Sequence, residues 1–316
     1  RKRRRRLFHD RMIDVPVRKL STTDAFVVTD LPDAPATGIV RAARKILEAG
    51  AEDLARSATY TFAAFELQRS GASAGINAEG DAVAAAVAAF VDELGPEVTG
   101  GALHLDAAKG INQDAFAPLA AAADRNPAGG TVSAAAAGIV AATAWALGGL
   151  EGKTVAVEGS GEVPEAALTQ MLEAGATLVE VPGVDAKPWM IWGAPVDAIL
   201  AGSKAGTLTH QGADFVKATA IVPWGPIPVT TKAFATLRRR DVVVVPDFVS
   251  AGGALLGGYL EGDADSVRSQ ISARVTDVLS AGAANDDGVL LGCCYAAEAF
   301  LATWTDTRLF GRPLAS

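Results

Sequence analysis

Apolar positions follow two rhythms along this chain, and the clearest alternation between them lies at residues 153–181. An apolar run, Thr154–Val157, leads into Gly159-Ser160-Gly161. Apolar residues then recur at helical spacing at Ala166, Ala167, Met171 and Leu172, stop at Gly175, and give way to a β-branched run, Thr177–Val181. Short continuous apolar runs bounded by glycine read as buried strands, and the three-and-four spacing reads as an amphipathic helix. The order strand, glycine turn, helix, strand is the βαβ unit of a dinucleotide-binding fold. In that unit the helix N-terminus points backbone N–H groups at a pyrophosphate.

The same rhythms organise the rest of the chain. Asp197–Leu200, Ala220–Val222 and Val242–Val245 read as further buried strands of one parallel sheet. Helices are predicted over Ile39–Ala49, with Gly50 as its stop, and over Asp81–Leu94, ended by Gly95-Pro96. Ala134–Leu150 is almost wholly apolar, but its small residues, its central Thr143 and its lack of flanking anchors favour a buried helix over a membrane span. The expected class is α/β with two domains. Residues 1–35 read as a basic arm with a strand-like Asp14–Val17 and prolines at Pro32 and Pro35; 36–130 form a first domain; 131–285 form the Rossmann-like domain. Asn126–Gly130 is the hinge candidate, and the chain turns helical again from about residue 250.

The glycine turn nominates Gly159, Ser160, Gly161, Glu162 and Val163 as cofactor contacts. Its third glycine position holds Pro164, which suits a first helical turn but offers no N–H to a phosphate. A Glu162 carboxylate ~4 Å from a phosphate would cost on the order of 1–4 kcal/mol; alternatively it caps its own helix N-terminus. The acid expected ~20 residues on, to hold a ribose, falls where the chain has Val181-Pro182-Gly183, with Glu180 inside the predicted strand and Asp185 slightly late. NAD or NADP binding is therefore expected to be weak.

Composition narrows the classes further. Half the 316 residues are hydrophobic and only 6% are aromatic, so the chain has a sizeable core of closely packed small residues. Cys293 and Cys294 are adjacent, which neither staples a fold nor builds a metal site, and a reducing cytoplasm is expected. His9, His104 and His210 have no metal-ligand spacing, so no metal is expected. Arg1–Arg6 is an unbroken basic run on a chain of net charge −8. It suits an acidic partner, nucleic acid or anionic lipid, or else is a disordered arm.

Reading outward from the glycine turn, the chain resembles the glutamate/leucine/phenylalanine/valine dehydrogenase family over roughly residues 36–300. The lead-in Leu150–Val157 is similar to that family's approach to its cofactor strand, and Ser133–Ile139 stands in place of its Glu-Ala-Thr-Gly-Arg-Gly-Val segment. Val242–Phe248 with Ser250–Gly253 resembles "VVPD…NAGG"; Trp224-Gly225-Pro226 with Thr230–Ala233 resembles "NGPTTPEA"; Ser70–Ile76 resembles "GGAKGGI". The resemblance implies NAD(P)-dependent oxidation of an amino acid, an assembly formed through the first domain, and C-terminal helices (residues 286–316) that pack back on that domain. It also implies two catalytic lysines, which align here with Ser73 and Thr61. The family's amide-bearing asparagines align with Trp224 and Ser250, and its threonine and arginine with Ala135 and Ala137. Asp106 lies where the family has its catalytic aspartate. Lys109, three residues on, could share a cleft with Asp106 as base or anchor, or be a surface lysine. The leading expectation is a non-catalytic binding or structural subunit, a homo-oligomer or part of a larger complex. An active divergent oxidoreductase using Asp106 and Lys109 is the alternative, and association through Arg1–Arg6 is a third.

Overall fold

The computed structural model describes residues 16–121, 125–184, 187–307, 309 and 311–315. Arg1–Arg6, His9 and Asp185 lie outside the described residues. The described chain builds two five-stranded sheets.

In the first sheet, β1 (Val17–Lys19), β2 (Ala25–Thr29), β3 (Ala36–Ala43), β4 (Ser70–Asn77) and β5 (Leu103–Ala107) run in the order β1-β2-β4-β3-β5. β3 is parallel to both β4 and β5, whereas β2 is antiparallel to β4. Helix α1 (Glu48–Ala64) covers one face. It lies so close that a Cβ on Gly71 would sit 1.9 Å from the Ala55 carbonyl oxygen, so only glycine fits there. On the other face Ala72, Ala74 and Ile76 meet Phe90 of α2 (Ala82–Thr99) and Phe116 of α3 (Gln113–Ala121).

Three expectations change here. Residues 17–29, read as part of an arm, are two strands of this sheet. Ile39–Ala43, read as the start of a helix, is the second half of β3, and the helix begins only at Glu48. A strand buried on both faces carries apolar residues at nearly every position, so its period does not distinguish it from a buried helix. The Gly95-Pro96 breaker does not end α2, which continues to Thr99 because Val98 is buried one turn beyond Leu94.

Helix α4 (Val132–Leu147) starts at Thr131, whose hydroxyl accepts from the Ala134 N–H, and ends at Gly148. It packs against α5 (Glu162–Glu173) and α10 (Ala264–Ala283). Among the described residues, no helix is long and apolar enough to cross a membrane. The second sheet is wholly parallel, with order β10-β9-β8-β6-β7. Its strands are β6 (Thr154–Val157), β7 (Thr177–Leu178), β8 (Ala198–Ala201), β9 (Ala220–Pro223) and β10 (Val243–Val244). The order reverses between β6 and β8, and a ligand crevice is expected at the carboxyl ends of those two strands.

Helix α6 (His210–Phe215) joins β8 to β9 and α7 (Thr231–Arg239) joins β9 to β10; after β10, the short helices α8 (Asp247–Ser250) and α9 (Gly253–Gly257) lead back toward the first sheet. Helix α11 (Val289–Leu301) packs on α1, where the Tyr60 hydroxyl meets Glu298 at 3.0 Å. The hinge candidate is pinned: the Asn126 N–H donates to Gly258 O at 2.9 Å, and its carboxamide donates to the carbonyls of Leu260 and Gly262.

Candidate functional site

Between the two sheets lies a cleft of about 320 Å³. One stripe of α1 enters it, Leu54, Ser57, Ala58 and Thr61, at the i, i+3, i+4, i+7 spacing of a single helical face. β5 contributes Asp106 at its carboxyl end. The second domain contributes Pro226, Asp247, Ala251 and Leu255. No lysine, arginine or histidine is among the described residues that line it.

Asp247 is the group that the sequence reading passed over. It is 5% exposed and its Oδ2 accepts from Ser57 Oγ at 2.7 Å and from the Ile227 N–H at 2.8 Å. Burial, only partly offset by these bonds, pushes its carboxyl up to about 6. Ile227 sits at φ 44°, in the left-handed region where a β-branched residue is strained, so the bond to Asp247 holds an unusual backbone. The signal in the sequence was its place in Val242–Phe248, the segment that resembles "VVPD", just after a buried strand.

Asp106 is half-buried and tied to the buried Arg125, whose Nη1 lies 2.7 and 2.9 Å from its two oxygens. Arg125 in turn stacks over Tyr259 at 5.5 Å, and Arg69 does so at 4.8 Å. The Tyr259 hydroxyl bonds Thr37 Oγ1 at 2.6 Å. Arg125 immediately precedes the segment read as a hinge, and nothing in the sequence marked it as Asp106's partner.

Lys109 does not join Asp106. β5 runs to Ala107, and Lys109 lies exposed on the turn that follows. It lines a separate groove with Arg41 and Lys45. The expectation of a shared cleft required a helix or turn from residue 106 onward, and a strand stands there instead. Thr61 does line the cleft, with its hydroxyl donating back to Ser57 O at 3.2 Å. Ser73 does not: it is fully buried in β4 on the α1-facing side, and its Oγ has no partner.

The glycine turn is built as expected, and Glu158 and Trp224 close the space on its β8 side. Glu158, at the carboxyl end of β6, crosses to the loop after β8. It accepts from the N–H groups of Gly202 (3.0 Å) and Ser203 (3.1 Å) and from the hydroxyls of Thr207 (2.9 Å) and Ser203. The Trp224 indole covers the turn and donates to Glu158 O at 2.9 Å. A Cβ on Gly159 would lie 2.6 Å from Ser203 Cβ and 3.0 Å from the Trp224 ring, and its φ is 84°, so glycine is required twice over. The remaining groove, of about 690 Å³, opens on the β6–β7 side and is lined by Gly159, Ser160, Pro164, Glu165 and Glu180. Glu162 and Val163 are not among its lining residues, and Glu162 is exposed. Since β7 stops at Leu178, Glu180 is not inside the strand but beyond its end, facing this groove. No described group of His, Cys, Asp and Glu is arranged to hold a metal ion. Burial pushes the Cys293 thiol up to about 12, which leaves it inert.

No protein-family profile matches the chain. A glutamate dehydrogenase of Aeropyrum pernix is 29% identical over 147 residues, covering 36% of this chain and 35% of that protein, so the match spans about a third of the relative. Among solved structures, the hetero-hexameric glutamate dehydrogenase of Thermus thermophilus in its leucine-bound form superposes with a TM-score of 0.74 at 20% identity, covering 90% of this chain and 86% of that one. The L-tryptophan dehydrogenase of Nostoc punctiforme gives 0.63 at 20% identity, over 89% and 92%. The chain shares the fold of the glutamate and tryptophan dehydrogenases. Against that scaffold, the positions that resemblance assigns to amides are both spent internally: Trp224 on Glu158, and Ser250 on Pro223 O at 2.8 Å. Ala135 and Ala137, in place of the family's threonine and arginine, are buried packing residues of α4.

Proposed function

We propose that this chain is a non-catalytic binding or structural subunit built on the amino-acid dehydrogenase scaffold. The observation that carries this reading is the cleft lining, which has two carboxylates and no cationic side chain among the described residues. Oxidative deamination needs a cation for the substrate carboxylate and a base for water, both held in place before reaction. Thr61 and Ser73 supply neither, and Asp106 is engaged by Arg125.

Weak dinucleotide binding follows from the same kind of argument. The Gly202 and Ser203 N–H groups already hold Glu158, Pro164 has no N–H, and Glu165 and Glu180 put negative charge in the groove. A Kd of roughly 1 mM or above, about 4 kcal/mol, is expected for NAD(H) or NADP(H). The test is a nicotinamide absorbance assay at high protein concentration with glutamate, leucine, phenylalanine and valine, together with calorimetric titration of each dinucleotide. No turnover and no micromolar binding are expected.

The second reading, an active divergent NAD-dependent oxidoreductase, is favoured by Glu180, which faces the groove where an acid would hold a ribose. Turnover that disappears in Asp106→Asn or Lys109→Ala would establish it, although Lys109 lines a separate groove and is not among the cleft-lining residues. For assembly, the small-residue helices and the hetero-hexameric relative support a homo-oligomer or a subunit of a larger complex. Light scattering coupled to size exclusion tests this, and a salt-independent monomer near 32 kDa would refute it.

A further inference from the structure

We infer that the inter-domain cleft takes a small organic cation, a primary amine with an apolar body and no carboxylate, in place of an α-amino acid. This rests on the reading of the cleft as a binding site without anion-holding lysines, and adds the class of ligand.

The hydrogen-bonding character of the wall carries the inference. Ser57 spends its hydroxyl proton on Asp247, and Thr61 spends its own on Ser57 O, so both hydroxyls present lone pairs. Asp247 and Asp106 are acceptors when ionised. Gln113 directs an amide N–H at Ala107 O, 3.4 Å away. The polar side-chain surface is therefore dominated by acceptors, the complement of an ammonium group, which has three donors and no acceptor.

Charge points the same way. Asp106 has Arg125 for a counter-ion, but Asp247 is met by the Ser57 hydroxyl and by backbone N–H groups, with no cation among the described lining residues to balance it. A ligand ammonium would supply the missing charge at the buried end. A ligand carboxylate would face two acids and find no cation among the described lining residues. The rest of the wall is apolar (Ile39, Leu54, Phe116, Leu255), and a volume of about 320 Å³ suits a short aliphatic or phenyl body.

The test is calorimetric titration of the full chain with isoamylamine and phenethylamine, set against leucine and phenylalanine, the same bodies with a carboxylate added. The amines should bind saturably and at least about tenfold tighter than the amino acids. Thr61→Lys introduces a cation at the cleft wall and should reverse that order. Asp247→Asn should weaken amine binding about tenfold or more, with circular dichroism reporting the fold; if that variant does not fold, Thr61→Lys decides. Amino acids binding as well as amines, no binding of either amine, or a preference unmoved by Thr61→Lys would each overturn the inference. The two readings fail separately: amine oxidation with reduction of NAD would refute the non-catalytic subunit and leave the amine site standing. Absence of amine binding would remove this inference and leave the non-catalytic reading intact.

Discussion

At the switch point of the second sheet, the buried Glu158 carboxylate takes four hydrogen bonds from one loop and lies beneath Trp224. In the inter-domain cleft, the equally buried Asp247 takes one hydroxyl and one N–H from other elements and borders open space. A third buried acid, Asp30, has the Arg56 guanidinium at 2.8 Å. Burying a carboxylate is costly unless donors or a cation replace water. Glu158 is answered by four donors and Asp30 by a cation, whereas Asp247 has donors but no cation; burial raises the proton affinity of both Asp30 and Asp247. The comparison separates two ways of burying an acid. In the crevice the protein has turned ligand-binding donors onto itself. In the cleft the acid borders open space with no cationic side chain among the described lining residues.

The largest expected effect tests the crevice. Glu158→Ala would strand two backbone N–H groups and two hydroxyls, so we expect a loss of about 3–5 kcal/mol in urea unfolding. A loss under about 1 kcal/mol would mean that water replaces the carboxylate freely and the crevice is not closed.

Next comes the cleft. The folded carboxyl of Asp247 sits near 6 against an ordinary 3.8, so the folded state holds its proton more tightly than the unfolded state. Its contribution is therefore full below the unfolded value and is lost as pH rises through the window from about 4 to 6. The loss amounts to about 3 kcal/mol. Asp247→Asn lacks this term. The stability of the variant relative to the parent should rise by that amount across the window, and parallel pH profiles for the two proteins would refute the assignment.

Smaller effects separate the groove from the turn. Pro164→Gly with Glu165→Gln should tighten dinucleotide binding about tenfold, or about 1.4 kcal/mol, by adding an N–H and removing a lining charge. Ser73→Ala should stabilise the fold by about 1 kcal/mol, because it deletes a buried hydroxyl with no partner. A destabilised Ser73→Ala would show that the hydroxyl is satisfied. Glu162→Gln, outside the groove lining, should change dinucleotide affinity by less than about twofold, and a larger gain would return Glu162 to the site.

Much of the second domain was legible because each of its elements obeys a local rule. The β6 run, the Gly159–Gly161 turn and the periodicity of α5 appear where the pattern puts them, and Ala198–Ala201 and Ala220–Pro223 are buried strands as read. The first domain was less legible. β3 is apolar on both faces and passed for a helix, and β2 was hidden in a segment judged by its basic neighbours. At the site, Thr61 and Asp106 were found in the cleft, while Lys109 and Ser73 were not. A count of three residues from Asp106 says nothing about direction until the backbone is known to be a strand followed by a turn.

What the sequence determined by itself was therefore the succession of elements around the glycine turn and the absence of lysine where the resemblance requires it. These are set by backbone period and by residue identity, which are local. What only the tertiary structure decided was who answers each buried charge. Ser57 and Asp247 are 190 residues apart in the chain, and Glu158 is 45 from Ser203. Such partners meet only after helices and strands from both sheets have packed. Hydrogen-bond complementarity depends on those final distances, and no periodicity encodes them.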